Sequence, residues 1–260
     1  MVNKNIKKYG APSVKKAFEI LRVLSSSKEG LGVSEIARDL NIAKSTVHGM
    51  TSTLEELGAV TRDPHTKRYR LGLTLFELGR LAYSQIDLKT LARPIMEELM
   101  EKTQASVFLG ILNWDHVTVL DIVESRQDLK ITAPIGTTIS LLAGAVGKVF
   151  LASMEEKQSQ KIIRSKGLIR FTKNTIVDPE LYYQELENVR KKGYAVDDEE
   201  YILGVRAVAS PIVGLGQLMS AIWVVGFKAS LSEKKMKAVI KVTKEAAEGI
   251  RSRIQEQAGT

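Results

Sequence analysis

The stretch from Leu31 to Leu71 constrains the fold of this chain more than any other. Within it, Val33-Ser34-Glu35-Ile36-Ala37-Arg38-Asp39-Leu40 repeats apolar residues at helical spacing, with Val33, Ile36, Ala37 and Leu40 on one face. Asn41-Ile42-Ala43 then leaves only three residues for a turn, the length found between the two helices of a helix-turn-helix. The second helix starts at Lys44-Ser45-Thr46 and runs to Leu57, where Gly58 stops it. Its wheel gathers Val47, Met50, Thr51, Leu54 and Leu57 on the inner side and Ser45, His48, Gly49 and Ser52 on the outer. Two short β-prone runs follow, residues 59–62 and 67–71, around the turn Asp63-Pro64-His65-Thr66; they predict a hairpin with a basic second strand. Helix, tight turn, helix and hairpin together predict a winged helix-turn-helix.

Ahead of this motif, residues 1–12 show no apolar period and are expected to be disordered. Ser13 is expected to cap a helix presenting Val14, Ala17, Phe18, Leu21 and Leu24, so the first domain is placed at residues 13–72. Charge assigns the motif a partner. Residues 1–70 carry 13 Lys and Arg against 7 Asp and Glu, a net +6 out of +8 for the whole chain. Folds of this kind lay the N-terminal half of the second helix in the major groove of double-stranded DNA. Lys44, Ser45, Thr46, His48 and Ser52 are therefore expected at base edges, with Arg62, Lys67, Arg68 and Arg70 on phosphates or in the flanking minor groove. A winged helix serving as a protein-contact module is the competing reading, and the concentration of positive charge weighs against it.

Residues 73–87 carry Leu75, Leu78, Leu81 and Ala82 at helical spacing, which predicts a helical linker. A second domain, residues 88–260, opens with a helix from Asp87 to Lys102. Two β-rich runs follow, residues 105–112 and 117–123, about the turn Asn113-Trp114-Asp115-His116, and then a short strand at Ile131 to Ala133. A small-residue segment at 141–151 turns into a helix, with further helices over 155–166 and 178–192. An antiparallel pair at 202–213 and 218–227 is joined at Gly214-Leu215-Gly216, and a final helix capped at Ser232 reaches Ile254. Helices interspersed with antiparallel strands give an α+β class rather than a βαβ repeat.

The chemistry available is narrow. With no cysteine there is neither disulfide nor zinc finger, and the three histidines, His48, His65 and His116, form no pair for a metal and no Ser/His/Asp set. No catalytic residue, metal or cofactor is expected. Asp197-Asp198-Glu199-Glu200 is either a divalent-cation site or a solvated acidic loop. Ala143-Gly144-Ala145-Val146-Gly147-Lys148 could cradle an anion on backbone N–H groups, but its spacing does not match GxxxxGK[ST], so no nucleotide phosphate site is expected. No run is long and apolar enough to span a bilayer, and the basic N-terminus lacks a secretory apolar segment, so no membrane partner and a cytoplasmic location are expected.

Three motifs in order, LGVSEIARDLNIAKSTVHGMTSTLEELGAVTRDPHTKRYRLG, LLAGAVGKVFLAS and KKGYAVDDEEYILGVRAVASPI, resemble the IclR family of bacterial transcriptional regulators over nearly the whole chain. The resemblance implies a GAF-like effector-binding domain whose antiparallel sheet is flanked by helices. It also implies a homodimer or tetramer, and repression or activation governed by a small-molecule effector, usually a carboxylate. Positions matching the family's effector pocket are Ala145, Val146, Asp197, Val205, Ala207, Trp223 and Val225. Gly49 departs from the arginine usual in the recognition helix. The strand Ala221-Ile222-Trp223-Val224-Val225-Gly226 lacks the serines that often face the ligand, and the loop at 213–218 is shorter than usual.

A pocket so poor in polar groups favours one anionic head, received at the start of the 145 helix, and an apolar or aromatic body against Trp223, over glyoxylate or pyruvate. The competing reading makes Trp223 a core filler in a dimerisation unit. The leading reading is a bacterial or archaeal, nucleoid-associated regulator whose paired recognition helices read a pseudo-palindromic operator, signalled through the linker. An enzyme with an accessory winged helix and a sequence-indifferent nucleoid binder are the alternatives.

Overall fold

The computed structural model describes residues 11–84, 88–213 and 218–258. They fall into two compact units, one up to residue 86 and one from residue 87, so the linker helix groups with the first. The first ten residues and the 214–216 join lie outside the described residues.

In the first unit, α1 (Pro12–Ser25), α2 (Val33–Leu40) and α3 (Lys44–Glu56) are followed by the hairpin β1 (Val60–Arg62) and β2 (Tyr69–Leu71), then α4 (Leu73–Ser84). The start of α1 differs from expectation: Ala11 is the N-cap and Pro12 opens the helix, without a side-chain cap from Ser13. Proline suits that position because its missing N–H has no intrahelical partner there. Its buried residues are Ile20 and Leu24, while Val14 and Phe18 are 55% and 61% exposed in the single chain. Leu57, expected inside, is likewise exposed, because it is the C-cap of α3 and the helix has ended before its side chain can reach the core. Otherwise the pattern holds: Ile36 and Ala37 of α2, Val47, Thr51 and Leu54 of α3, and Val60 and Tyr69 of the wing are buried together. Asn41 takes the left-handed conformation at the end of α2, with φ 53°, which lets the turn be so short. Leu75 of α4 packs on this core, Leu78 and Leu81 are exposed, and the side chain of Ala82 is outside the described set.

The second unit is one six-stranded antiparallel sheet with helices on both faces. Its elements are α5 (Leu88–Thr103), β3 (Ser106–Asn113), β4 (His116–Val123), β5 (Thr138–Ser140), α6 (Gly144–Ser153), α7 (Glu156–Lys166), α8 (Pro179–Lys192), β6 (Ala195–Asp198), β7 (Val205–Ile212), β8 (Ser220–Phe227) and α9 (Glu233–Ala258). The spatial order is β5-β4-β3-β8-β7-β6. Helices α5 and α9 cover one face, and α6, backed by α8, covers the other. Period-two alternation sends Phe108, Ala207, Ala209, Ala221 and Trp223 to the α6 side.

Two strand expectations fail. Residues 131–133 form no strand; Thr138–Ser140 pairs with β4 instead, after Gly136 turns the chain at φ +87°. Their β-branched character (Ile131, Thr132) reads as strand propensity, but Pro134, with no N–H, follows directly. Conversely, Asp197 and Asp198 lie on strand β6, paired with Ala207 and Arg206, rather than on a solvated loop.

Candidate functional site

In the first unit the outer face of α3 presents Lys44, Ser45, His48, Gly49 and Ser52 to solvent, with Thr46 half-buried. On the wing, Arg62, Lys67 and Arg70 are exposed, Arg62 stacking 5.5 Å from the centre of the Tyr69 ring. The wing tip is built by Asp63, whose Oδ1 accepts the N–H groups of His65 and Thr66 at 2.9 and 2.7 Å; the Thr66 bond, above all, holds that carboxyl below its ordinary range.

Arg68 is not placed with the other cations. Its Nη2 donates to Glu35 Oε1 at 2.8 Å and its Nε to the Gly30 carbonyl at 3.0 Å, while Glu35 Oε2 accepts the Gly32 N–H at 2.7 Å. Leu31 and Tyr69 exchange backbone bonds beside it. Arg68 therefore ties the wing to the start of α2. Charge composition showed a basic strand but not a carboxylate 33 residues away.

In the second unit the seven matched positions, Ala145, Val146, Asp197, Val205, Ala207, Trp223 and Val225, all line one cavity of about 210 Å³. Its floor is the first turn of α6 and one wall is the sheet. Trp223 stacks on its cross-strand partner Phe108, ring centroids 5.5 Å apart and 9° from parallel. Gly110 makes room for that ring: a Cβ there would lie 2.8 Å from the Trp223 ring and 2.8 Å from the Thr118 carbonyl. Trp223 is thus packed in the core, 3% exposed, and faces the cavity at once, so the two readings of it are not exclusive. The opposite wall escaped sequence reading: Ile131, Thr132 and Ala133, which make no ladder, and Tyr201 and Ile202 from the turn after β6.

Behind the cavity the acidic run is paired residue by residue. Asp198 takes Arg206 at 2.6 and 3.1 Å, Glu199 takes Lys228, and Glu200 takes Lys148 at 2.6 Å. Among the described residues no cluster fits a metal ion. Asp197 Oδ1 accepts N–H groups from Glu200 and Tyr201 at 2.6 and 3.4 Å, yet burial pushes this carboxyl above its ordinary range. Lys148, seen in the sequence only as part of a possible anion cradle, instead buries its ammonium against Glu200, Glu185 and the Val196 carbonyl.

This arrangement, a winged helix-turn-helix followed by a sheet with a small cavity, has matches along most of the chain. Residues 13–64 match the IclR helix-turn-helix domain and residues 81–252 the bacterial transcriptional regulator IclR C-terminal domain. The chain belongs to the IclR family. It is similar to the HTH-type transcriptional regulator BhcR of Paracoccus denitrificans, 34% identical over 92% of this chain and 85% of that one. Among solved structures it is similar to the IclR transcriptional regulator of Alicyclobacillus acidocaldarius, with TM-score 0.77, 29% identity, and coverage of 94% and 99% of the two chains. An IclR homologue of Microbacterium hydrocarbonoxydans crystallised with 4-hydroxybenzoate shares the fold, with TM-score 0.73 and 22% identity over 94% and 99%. This IclR-family chain is a DNA-binding transcriptional regulator, and its relatives are regulators rather than enzymes. None of its described helices is long and apolar enough to cross a membrane.

Proposed function

We propose that this regulator binds a specific operator through α3 and the wing, and that its occupancy is set by a small acid with an apolar or aromatic body held in the cavity between α6 and the sheet. The cavity carries this reading. At about 210 Å³, walled by Val146, Val205, Ala207, Trp223 and Val225, it has room for one substituted ring; an apolar cavity of about 150 Å³ in another protein accommodates benzene. Thr132, Thr137, Thr138, Tyr201 and Asp197 also line it, but the apolar walls offer no partner, so oxygens of a compact acid turned toward them would go unpaired at about 1–3 kcal/mol each. The test is a thermal-shift series with 4-hydroxybenzoate, phenylacetate, pyruvate and glyoxylate. Ring acids are expected to stabilise the protein, and Ala207→Leu, which fills the cavity without truncating Trp223, is expected to weaken them tenfold or more, about 1.4 kcal/mol. Stabilisation by pyruvate or glyoxylate alone would sink this reading.

On the DNA side, the exposed α3 face supports base contacts by Ser45 and His48. Replacing both by alanine is expected to cut affinity for a selected duplex by about 1–3 kcal/mol per lost base contact, with little change on random DNA. Equal losses on both duplexes would assign these side chains to the backbone. A second copy of the chain is the assembly partner we propose. Val14 and Phe18 on α1, and Leu73 and Phe76 on α4, are more apolar surface than a lone winged helix exposes to water without cause.

A further inference from the structure

A cavity that receives an acid faces an electrostatic obstacle in this chain. Among its described lining residues there is no Lys, Arg or His; the ionisable ones are Asp197 and Tyr201. Asp197 is 5% exposed, and its Oδ1 is held by the Glu200 and Tyr201 N–H groups. Its Oδ2 accepts no hydrogen bond from a described residue. That oxygen lies against the first residue of α6: Gly144 stands at φ +61°, and a Cβ on it would come within 2.9 Å of Oδ2. The carboxylate thus occupies the edge of the helix start where an anionic head would settle.

The charges around it do not neutralise a second anion. Lys148 on α6 acts on Asp197 through its charge, but its ammonium is already shared between Glu200 at 2.6 Å and Glu185 of α8 at 3.5 Å, one cation among three carboxyls. Asp198, next along β6, is turned to Arg206 of β7. Burial raises both Asp197 and Glu200 above the ordinary carboxylate range, and the nearby Lys148 ammonium offsets this only in part. Two carboxylates within a few ångströms in such surroundings are stable with one proton between them, not with none.

We propose that Asp197 Oδ2 and the carboxyl group of the bound effector share a single proton, so that the pocket takes up one proton from solvent with each acid it binds. The proposal rests on the ring-acid reading above and adds a chemical criterion to it. Asp197 admits a ligand that brings a proton or an N–H or O–H donor, and rejects one whose charge cannot be shared. Binding of acids then strengthens as pH falls, over the range in which free protein and free acid have both released the proton that the complex holds.

The experiment is calorimetry of 4-hydroxybenzoate and phenylacetate on the full chain, in buffers of differing ionisation heat. About one proton taken up per site, and affinity rising about tenfold per pH unit on going down from about pH 8, are the expected results. 4-Hydroxybenzamide, whose NH₂ donates to the Asp197 carboxylate, is expected to bind with no proton uptake and a flat pH profile. In Asp197→Asn the side-chain amide supplies the donor, so the acids are expected to bind without proton uptake. Acid binding by the native chain with no proton taken up overturns the shared proton and leaves the ring-acid reading standing. Failure of both acids to bind overturns both.

Discussion

Lys148→Ala is expected to destabilise the second unit by about 3–5 kcal/mol, the cost of breaking an ion pair whose ammonium is buried and whose Glu200 carboxylate is largely shielded from water. Lys148 is 2% exposed, and its Nζ joins the Val196 carbonyl at 3.0 Å and Glu200 at 2.6 Å, with Glu185 at 3.5 Å. Removing the side chain strands a carbonyl of β6 and the Glu200 carboxylate in the layer between α6, α8 and the sheet edge. For a unit of this size each kcal/mol lowers Tm by about 2–4 °C, so a fall of roughly 10 °C is expected in a thermal melt. The pH dependence carries a definite sign. Burial already holds Glu200 above its ordinary value, so the folded state binds its proton more tightly than the unfolded chain. Stability from that proton is present at low pH and lost as pH rises through the folded value. Without Lys148 the folded value climbs further, and the deficit is expected to be deepest at neutral pH and to shrink on acidification. Lys148→Met combined with Glu200→Gln is expected to recover part of the loss, since a buried pair is replaced rather than broken. A Tm within about 2 °C of the parent for Lys148→Ala would show that the ammonium holds nothing in place.

Local pattern carries the first unit well. Helical spacing located α2 and α3, and the turn chemistry of Asp63 to Thr66 located the wing, because each rests on residues within one or two turns of one another. What failed there concerns ends and distant partners. The inner side of α1 includes Ile20 rather than Phe18, and Arg68 is bound to Glu35 across the fold, which no count of charges reveals. In the second unit two of the three family motifs, at 141–153 and 191–212, located the helix start and the strands β6 and β7 that meet at the cavity. The far wall, residues 131–133 with Tyr201 and Ile202, was not legible. Ile and Thr before a proline look like a strand whether they pair in a ladder or face a cavity. The pairing of Lys148 with Glu200 and Glu185 spans 52 and 37 residues, so its sequence neighbours suggested an anion cradle, whereas its spatial neighbours are acids.

DNA affinity is expected to fall steeply with salt, and the slope distinguishes the cations that touch phosphate from the one that builds the wing. Each phosphate neutralised releases condensed counterion and contributes about −0.9 to the slope of log K against log salt. Lys44, Arg62, Lys67 and Arg70 stand exposed on the α3 and wing surface of the chain. With on the order of 6 to 10 phosphates met by the dimer proposed above, a slope near −5 to −9 is expected. Affinity is then expected to drop by about 10³–10⁵ between about 50 and 200 mM salt. Arg70→Ala, which removes one cation per protomer, is expected to flatten the slope by about 2. Arg68→Ala is expected to behave differently. Its guanidinium is bound to Glu35 and Gly30, so the variant lowers affinity at every salt concentration by loosening the wing from α2, with the slope kept and the melting temperature reduced. Electrophoretic or fluorescence titrations across a salt series read both quantities. A parent slope shallower than about −2 would take the basic wing out of DNA binding. A slope that flattens equally in both variants would put Arg68 on the phosphates after all, with its bond to Glu35 exchanged for DNA.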